Sequence, residues 1–549
     1  MSFVAVIGHY MSPQYKVETV LLGLRRLRGN HTGKIMAEAI LKVIRKYELT
    51  GDQIGWFVLD NASSNDTCVR EILKALNIED TVEHRRLRCL GHIINLAAKA
   101  FFFGSGSESK SFEKDVKNTQ ESREEKKERE IWRKKGPIGK LHNVVMYILD
   151  SPQRIDEFEE KVKGEIERQQ RETAPPGEDE DEDDEVLKRP LMVIRDNATR
   201  WNSVFSMITR AFILKDPLDL FIKRAREKPA SASPLPEEDE LSASDWKVLT
   251  RTQEILKPFY NLTLALQGRA PDALHGSIWE ALPALDFLLH GLESKCDEYK
   301  VELTETPQDN TTESTTRTKE RKLARKANEY DDIKHISTAI NNCWAKLRKY
   351  HRLMAQSPAY AAAIVLNPEH KLDYFENHWK EHPEWIGEAE KSVEDLWLTM
   401  YKDSSEPEKA STQASAAKNA SLFHPMPQRE LSDFDRWISG RKYGPKSKQD
   451  EYEQYLATDY FPDRGAKDGC LSAPVNICAF WARYEAQYPS LARMAFDVLS
   501  IPAMSAECER VFSSSKILLD DRRARMKEDI VEASECLRAW LQSGQCDHS

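Results

Sequence analysis

Four stretches of this chain are too poor in apolar residues to be buried, and they dictate where its packed units can lie. Gly104–Lys135 is charge-dense, and Thr173–Glu185 encloses the unbroken acidic run Glu178–Glu185. Thr304–Lys326 is rich in Thr, Glu, Lys and Arg, and Ser404–Lys418 is dominated by small and polar residues. Such segments cannot bury enough surface to offset the entropy of ordering them, so they read as disordered or loosely ordered insertions and linkers. The remaining chain is long enough for roughly two to four domain-sized units. Its net charge of −10 argues against a generally basic nucleic-acid binder. Much of that negative charge sits in a few segments, however, so local basic patches are compatible with it.

Between the interruptions the patterning changes along the chain. Phe3–Tyr10 and Val17–Leu27 read as strands, Thr32–Tyr47 as a helix, Ile54–Leu59 as a short buried strand, and Asp66–Leu76 as a helix. Strands alternating with helices predict a sheet with helices packed against it. Trp246–Leu266, Ser277–Leu292, His335–Tyr350 and Pro383–Lys402 have helical spacing, which predicts a helical middle. The last third runs through Leu431–Ser439, a helical Glu451–Ala457, Val475–Ala486 around Phe480 and Trp481, and Tyr488–Val498. Lys527–Leu541 places Ile530, Ala533, Leu537 and Leu541 on one helical face, which must pack on something. No apolar run approaches the roughly 20 residues of a membrane helix. Nothing near the start has the layout of a secretion signal. Nine cysteines without framework spacing suit reduced thiols of the cytosol or nucleus.

Several residues carry possible chemistry, each with a plainer alternative. Asp60 closes a buried strand, where open sheets present ligand-binding groups and where a carboxylate can hold a hard cation. It can equally begin an Asx-type turn into Asn-Ala-Ser-Ser. Glu507 and Glu509 lie two residues apart on a helix and project about 200° from one another, so only one can face a site. Cys508 and Phe512 mark the expected buried stripe of that helix, with Glu509 at its flank. Cys89 and His92 form a C-x-x-H pair without the second pair that a structural zinc needs. A buried thiol and a helix-start histidine are the alternative. Arg200 and Trp201 set a cation beside an aromatic ring, suited either to an unpaired base and its phosphate or to a core anchor. Arg522, Arg523 and Arg525 could contact phosphate, or pair with Asp520, Asp521 and Glu528 around them.

The order of these signals is more specific than any one of them. VLDNASSND, RCLGHIINLAAKA, DNATRWNS, VLNPEHKLDYF and YPSLARMAFDVLSIPAMSAECERVFSSSK follow one another in a series that resembles the hAT superfamily of DNA transposases. The likeness runs from about Phe3 to Leu541. It implies a fold of α/β plus α type: an RNase H-like core interrupted by a large helical insertion. The implied division is 1–103 for the first part of the core, lacking its first catalytic strand, 104–190 for a charged insertion, and 191–403 for the helical domain. A linker at 404–430 and the second part of the core with the dimerisation region at 431–549 complete it.

By the same resemblance Asp60 matches the second catalytic aspartate and Glu509 the catalytic glutamate. Cys89 and His92 match the family C-x-x-H pair, and Trp201, beside Arg200, matches a tryptophan that stacks near the cleaved strand. Arg522 and Arg523 are the further nucleic-acid candidates. Phe480, Trp481, Phe512, Ile530, Leu537 and Leu541 are the candidates for dimerisation. A complete site of this kind uses three carboxylates and two Mg²⁺ or Mn²⁺ ions, with Asp60 and Glu509 as metal ligands. The first aspartate belongs on a strand before FVAVIGHY, which Met1 here precedes by two residues. The expectation is therefore a truncated, catalytically incomplete transposase-derived protein, nuclear, binding DNA and itself, with no membrane and no small-molecule substrate. The alternatives are an active cut-and-paste enzyme with a longer N-terminus, carrying a BED-type zinc finger and the first aspartate, and a host-recruited dimerising regulator or scaffold.

Overall fold

Alternating apolar residues make the first two segments a long antiparallel hairpin, β1 (Ser2–Met11) and β2 (Val17–Leu27), with Ser2 opposite Leu27 and Met11 opposite Val17. The computed structural model describes residues 2–29, 32–104, 107–122, 124–173, 191–196, 201–229, 233–267, 276–299, 301, 328–402, 450–459, 476–518 and 526–543. Thr32 then caps helix α1 (Gly33–Lys46) by accepting the amide of Ile35, and Arg45 and Lys46 lie at its last turn, where the helix dipole favours cations. A short strand β3 (Phe57–Leu59) leads into α2 (Ser64–Ala75), a single turn α3 (Val82–Arg85), and β4 (Arg86–Arg88). β4 runs parallel to β3, with Arg88 beside Leu59.

The strands form two separate two-stranded sheets, β1–β2 and β3–β4. Both lie on the same helical layer. Val4 and Val6 of β1 and Phe57 of β3 pack on a cluster formed by Ala37, Ile40, Leu41 and Ile44 of α1 with Cys68 and Ile72 of α2. The mixed α/β start is thus present, but the described chain is mostly helical with few strands.

The helical body begins with α4 (Leu90–Phe103), α5 (Ser107–Ser122), α6 (Glu125–Arg133), α7 (Pro137–Leu149) and α8 (Pro152–Thr173). The expectation that Gly104–Lys135 is loosely ordered is corrected here. Phe112, Val116 and Trp132 are buried along α5 and α6, and Phe103 stacks on Phe112 at 4.8 Å. Sparse apolar positions on one face are enough to dock helices whose other faces are charged. Beyond Trp201 come α9 (Trp201–Ile213), α10 (Lys215–Arg226), α11 (Ala243–Gln267), α12 (Ala281–Glu293), α13 (Cys296–Tyr299) and α14 (Asn328–Met354). They are followed by α15 (Pro358–Val365), α16 (Asp373–His378) and α17 (Pro383–Met400).

One polar centre braces this body. Asp286 on α12 accepts hydrogen bonds from Tyr374 Oη (2.8 Å) and Trp379 Nε1 (2.9 Å) on one oxygen, and its other oxygen lies 3.0 Å from His351 Nε2. Burial would raise the Asp286 carboxyl, but these partners outweigh it and hold it below the usual carboxylate range.

The C-terminal part adds α18 (Glu451–Ala457), α19 (Ile477–Tyr484), α20 (Pro489–Leu499), α21 (Ala506–Leu518) and α22 (Glu528–Gln542). Between α20 and α21 the backbone threads past the helical body: Ile278 N donates to Ile501 O (3.1 Å) and Ala503 N to Gly276 O (2.9 Å). α22 returns to β2, where Arg25 meets Glu532 at 2.9 Å, Arg28 meets Glu528 at 2.6 Å, and Trp540 Nε1 donates to Leu21 O at 2.9 Å. Among the described residues no helix is long and apolar enough to cross a membrane. The expected segments Glu178–Glu185, Thr304–Lys326, Ser404–Lys418 and Leu431–Ser439 lie outside the described residues.

Candidate functional site

Three motifs far apart in the chain meet at the C-terminal ends of β3 and β4. Cys89, just past β4, donates its amide to Leu59 O (2.9 Å), and Leu90 donates to Ala503 O (3.0 Å). The thiol of Cys89 accepts the amide of Ser505 at 3.3 Å. Gly91 allows this approach, since a Cβ there would come within 3.1 Å of Met504 Sδ. The segment before α21 is therefore bound to the start of α4, which brings Glu509 towards Asp60.

Asp60 has the turn role and remains available for another. Its Oδ1 accepts from the Ala62 amide (3.0 Å) and from Asn65 Nδ2 (2.7 Å), an Asx-type turn reinforced by a side chain. Oδ2 takes neither bond. The loop is fixed from below by Arg86, whose buried guanidinium donates to the carbonyl oxygens of Asp60 (2.7 Å) and Ala62 (3.3 Å) and pairs with Asp66. Glu509 is exposed in the first turn of α21, where the helix dipole favours a carboxylate. His92 on α4 feels both acids. Burial lowers its pKa, while Asp60 and Glu509 both pull it up and Lys99 pushes it down. Asp60, His92 and Glu509 thus share one neighbourhood. Burial, with help from Glu507, Cys89 and Glu509, pushes the Cys508 thiol up to about 12, which leaves it an un-ionised neighbour rather than a nucleophile.

Among the described residues no three His, Cys, Asp or Glu side chains gather closely enough to hold a metal ion.

Other candidates fall elsewhere. Trp201 is 2% exposed, packed beside Phe205 (6.0 Å), Phe259 and Tyr260. It is a core anchor in this conformation, not a platform offered to a base. Phe480 and Trp481 are likewise buried within the chain, where Trp481 Nε1 donates to Leu366 O (2.8 Å), so they are not surface groups for self-association. The expected buried stripe of α21 is also corrected, because Phe512 is 39% exposed. On α22 the expected packing face is turned outward: Ile530 and Leu537 are 48% and 52% exposed, and Leu541 is half-buried. Val531, Glu535 and Cys536 face inward instead. Arg200, Arg522 and Arg523 lie outside the described residues. Sequence reasoning missed Arg86, Arg88, Asn61 and Asn65, although the R-R-L-R run directly before C-x-x-H was a visible signal.

Comparison with known proteins covers both ends of the chain. A family model described as the hAT family C-terminal dimerisation region matches residues 451–541, and one described as the ZBED1 RNase-like domain matches residues 1–86. A Zea mays protein named as an AC transposase is 21% identical over 98% of this chain and 55% of its own length. A Talaromyces stipitatus protein named as a transcriptional regulator is 21% identical over 97% of this chain and 51% of its own. The zinc finger BED domain-containing protein DAYSLEEPER of Arabidopsis thaliana is 23% identical over 63% of this chain and 40% of its own. The chain thus spans about half the length of the first two relatives.

Proposed function

We propose that this chain, matched over residues 451–541 by the hAT dimerisation-region model and over residues 1–86 by the ZBED1 RNase-like model, is a nuclear, DNA-binding and self-associating protein of transposase descent whose described residues supply too few carboxylates for cleavage by themselves. The docking of the segment before α21 on the start of α4, next to the end of β3 and its Asp60 loop, is the observation that supports a site for phosphodiester backbone at the ends of β3 and β4. Asp60 and Glu509 would hold Mg²⁺ or Mn²⁺ together with phosphate oxygens, and such an ion stabilises charge on oxygens in phosphoryl transfer. The chain's own residues orient that site: Arg86 and Asn65 fix the Asp60 loop, and the Cys89–Ser505 bond fixes the start of α21. Self-association is supported by the dimerisation-region match together with the outward Phe512, Ile530 and Leu537.

One observation favours a second reading, in which an active site is completed in a longer protein. β1 and β3 lie on the same helical layer yet belong to different sheets. In that reading a further strand, supplied by a longer protein, would join this layer and carry the third carboxylate. Both readings are tested with a labelled DNA duplex and the full chain. Binding should fall steeply as salt is raised from about 50 to 200 mM. Plasmid incubated with Mg²⁺ or Mn²⁺ should stay intact. Cleavage that disappears in Asp60→Ala and Glu509→Ala would overturn the incomplete reading, and absence of DNA binding at low salt would overturn the DNA role.

A further inference from the structure

The run His84–Arg88 contains three arginines, and the fold employs them differently. Arg85 Nε meets Asp80 Oδ2 at 2.5 Å, and its Nη1 donates to Gly55 O at 2.9 Å. Arg86 is paired with Asp66 and donates to the carbonyls of the Asp60 loop. Arg88 has no carboxylate partner among the described residues, and its Nη1 donates to the amide oxygen of Asn61 at 3.2 Å. Its backbone is nevertheless clamped at both groups by the buried Tyr360, which accepts its N–H at 2.8 Å and donates to its C=O at 3.4 Å. The parallel register sets Arg88 beside Leu59, the residue before Asp60. A half-buried guanidinium with an unpaired charge and spare donors is therefore held at the candidate site.

Asn61 supplies a second, independent sign. Its Oδ1 is taken by Arg88, but its Nδ2 is buried and has no hydrogen-bond partner among the described residues. A buried donor without an acceptor is unfavourable and marks a place where a ligand oxygen would be welcome.

We propose that Arg88 and Asn61 form a phosphodiester-binding subsite beside Asp60. The proposal rests on the DNA-handling reading above and goes beyond it by naming the phosphate contact. The guanidinium fork matches two phosphate oxygens, and the Asn61 amide gives a further N–H. A bound phosphate would also supply the anion that Arg88 otherwise lacks.

The test is fluorescence anisotropy of the full chain with a labelled DNA duplex across a salt series. Arg88→Gln should weaken binding at low salt and reduce the slope of log affinity against log salt by about 1. Asn61→Asp sets a carboxylate against Arg88 without removing any packing group, so it should reduce the slope similarly while melting like the parent. It decides the question if Arg88→Gln folds poorly. Lys42→Gln, on the exposed side of α1, should leave the slope unchanged. If the parent binds DNA with steep salt dependence and both Arg88→Gln and Asn61→Asp bind as it does, the subsite is overturned and the DNA reading stands. If the parent does not bind DNA, both fall together.

Discussion

Asp286 in the helical body and Asp60 at the end of β3 are both tied into hydrogen-bond networks, but only one network is complete. Asp286 uses both oxygens within the chain, against His351, Tyr374 and Trp379. Asp60 commits one oxygen, and around its loop buried Asn61 Nδ2, Asn65 Oδ1 and Arg86 Nε have no partner among the described residues. A satisfied buried carboxylate is a brace. The exposed Asp60 sits instead among buried polar atoms left unmatched, which is the mark of a surface kept for something else.

The contrast can be broken most directly at the brace. Asp286→Ala strands two or three buried donors, so unfolding in urea should show a loss of about 3 kcal/mol. Acid sharpens the point. The folded pKa of Asp286 lies below its unfolded value, so its contribution is full above the unfolded carboxyl range, near about pH 4, and is lost as pH falls through the folded value. The stability gap between the parent and Asp286→Asn should therefore narrow on acidification, and a constant gap would remove Asp286 from the brace. Asp60→Asn should cost less than about 1 kcal/mol in the same urea experiment, because an amide oxygen still accepts from Ala62 and Asn65. A cost as large as that at Asp286 would make Asp60 structural and end the contrast. Smallest in stability should be Ile530→Asp with Leu537→Asp, within about 0.5 kcal/mol for exposed positions. That pair should still shift sedimentation towards monomer, and unchanged assembly would move the self-association surface off α22.

The parts of the fold that could be read from sequence are those where a single period dominates. The alternation of Phe3–Tyr10 and Val17–Leu27 announces the hairpin, and Thr32 with its apolar i, i+3, i+4 spacing announces α1. α5 and α6 escaped because Phe112, Val116 and Trp132 are thinly spread among charges, and composition outweighed spacing. α22 was read inside out for a related reason. Arg25 of β2 and Arg28 just after it pair with its acids and Trp540 bonds to β2, so a partly polar face is the docked one. At the site, Asp60 and Glu509 were legible only through the order of several motifs. Arg86 and Arg88 were not, because a run of arginines looks like solvated surface until the strand that holds it is known.

The pairing of β2 with α22 bears on how the protein is made. Arg28 and Glu528, which join the hairpin to the last helix, are separated by 500 residues of chain. During synthesis the hairpin emerges early and waits for nearly the entire remaining polypeptide before its cover arrives. Contacts of such long sequence separation form late and leave unpaired strand surface open to aggregation in the interval. A nascent chain stalled before α22 would display β2 uncovered, a natural target for chaperones and for quality-control proteolysis.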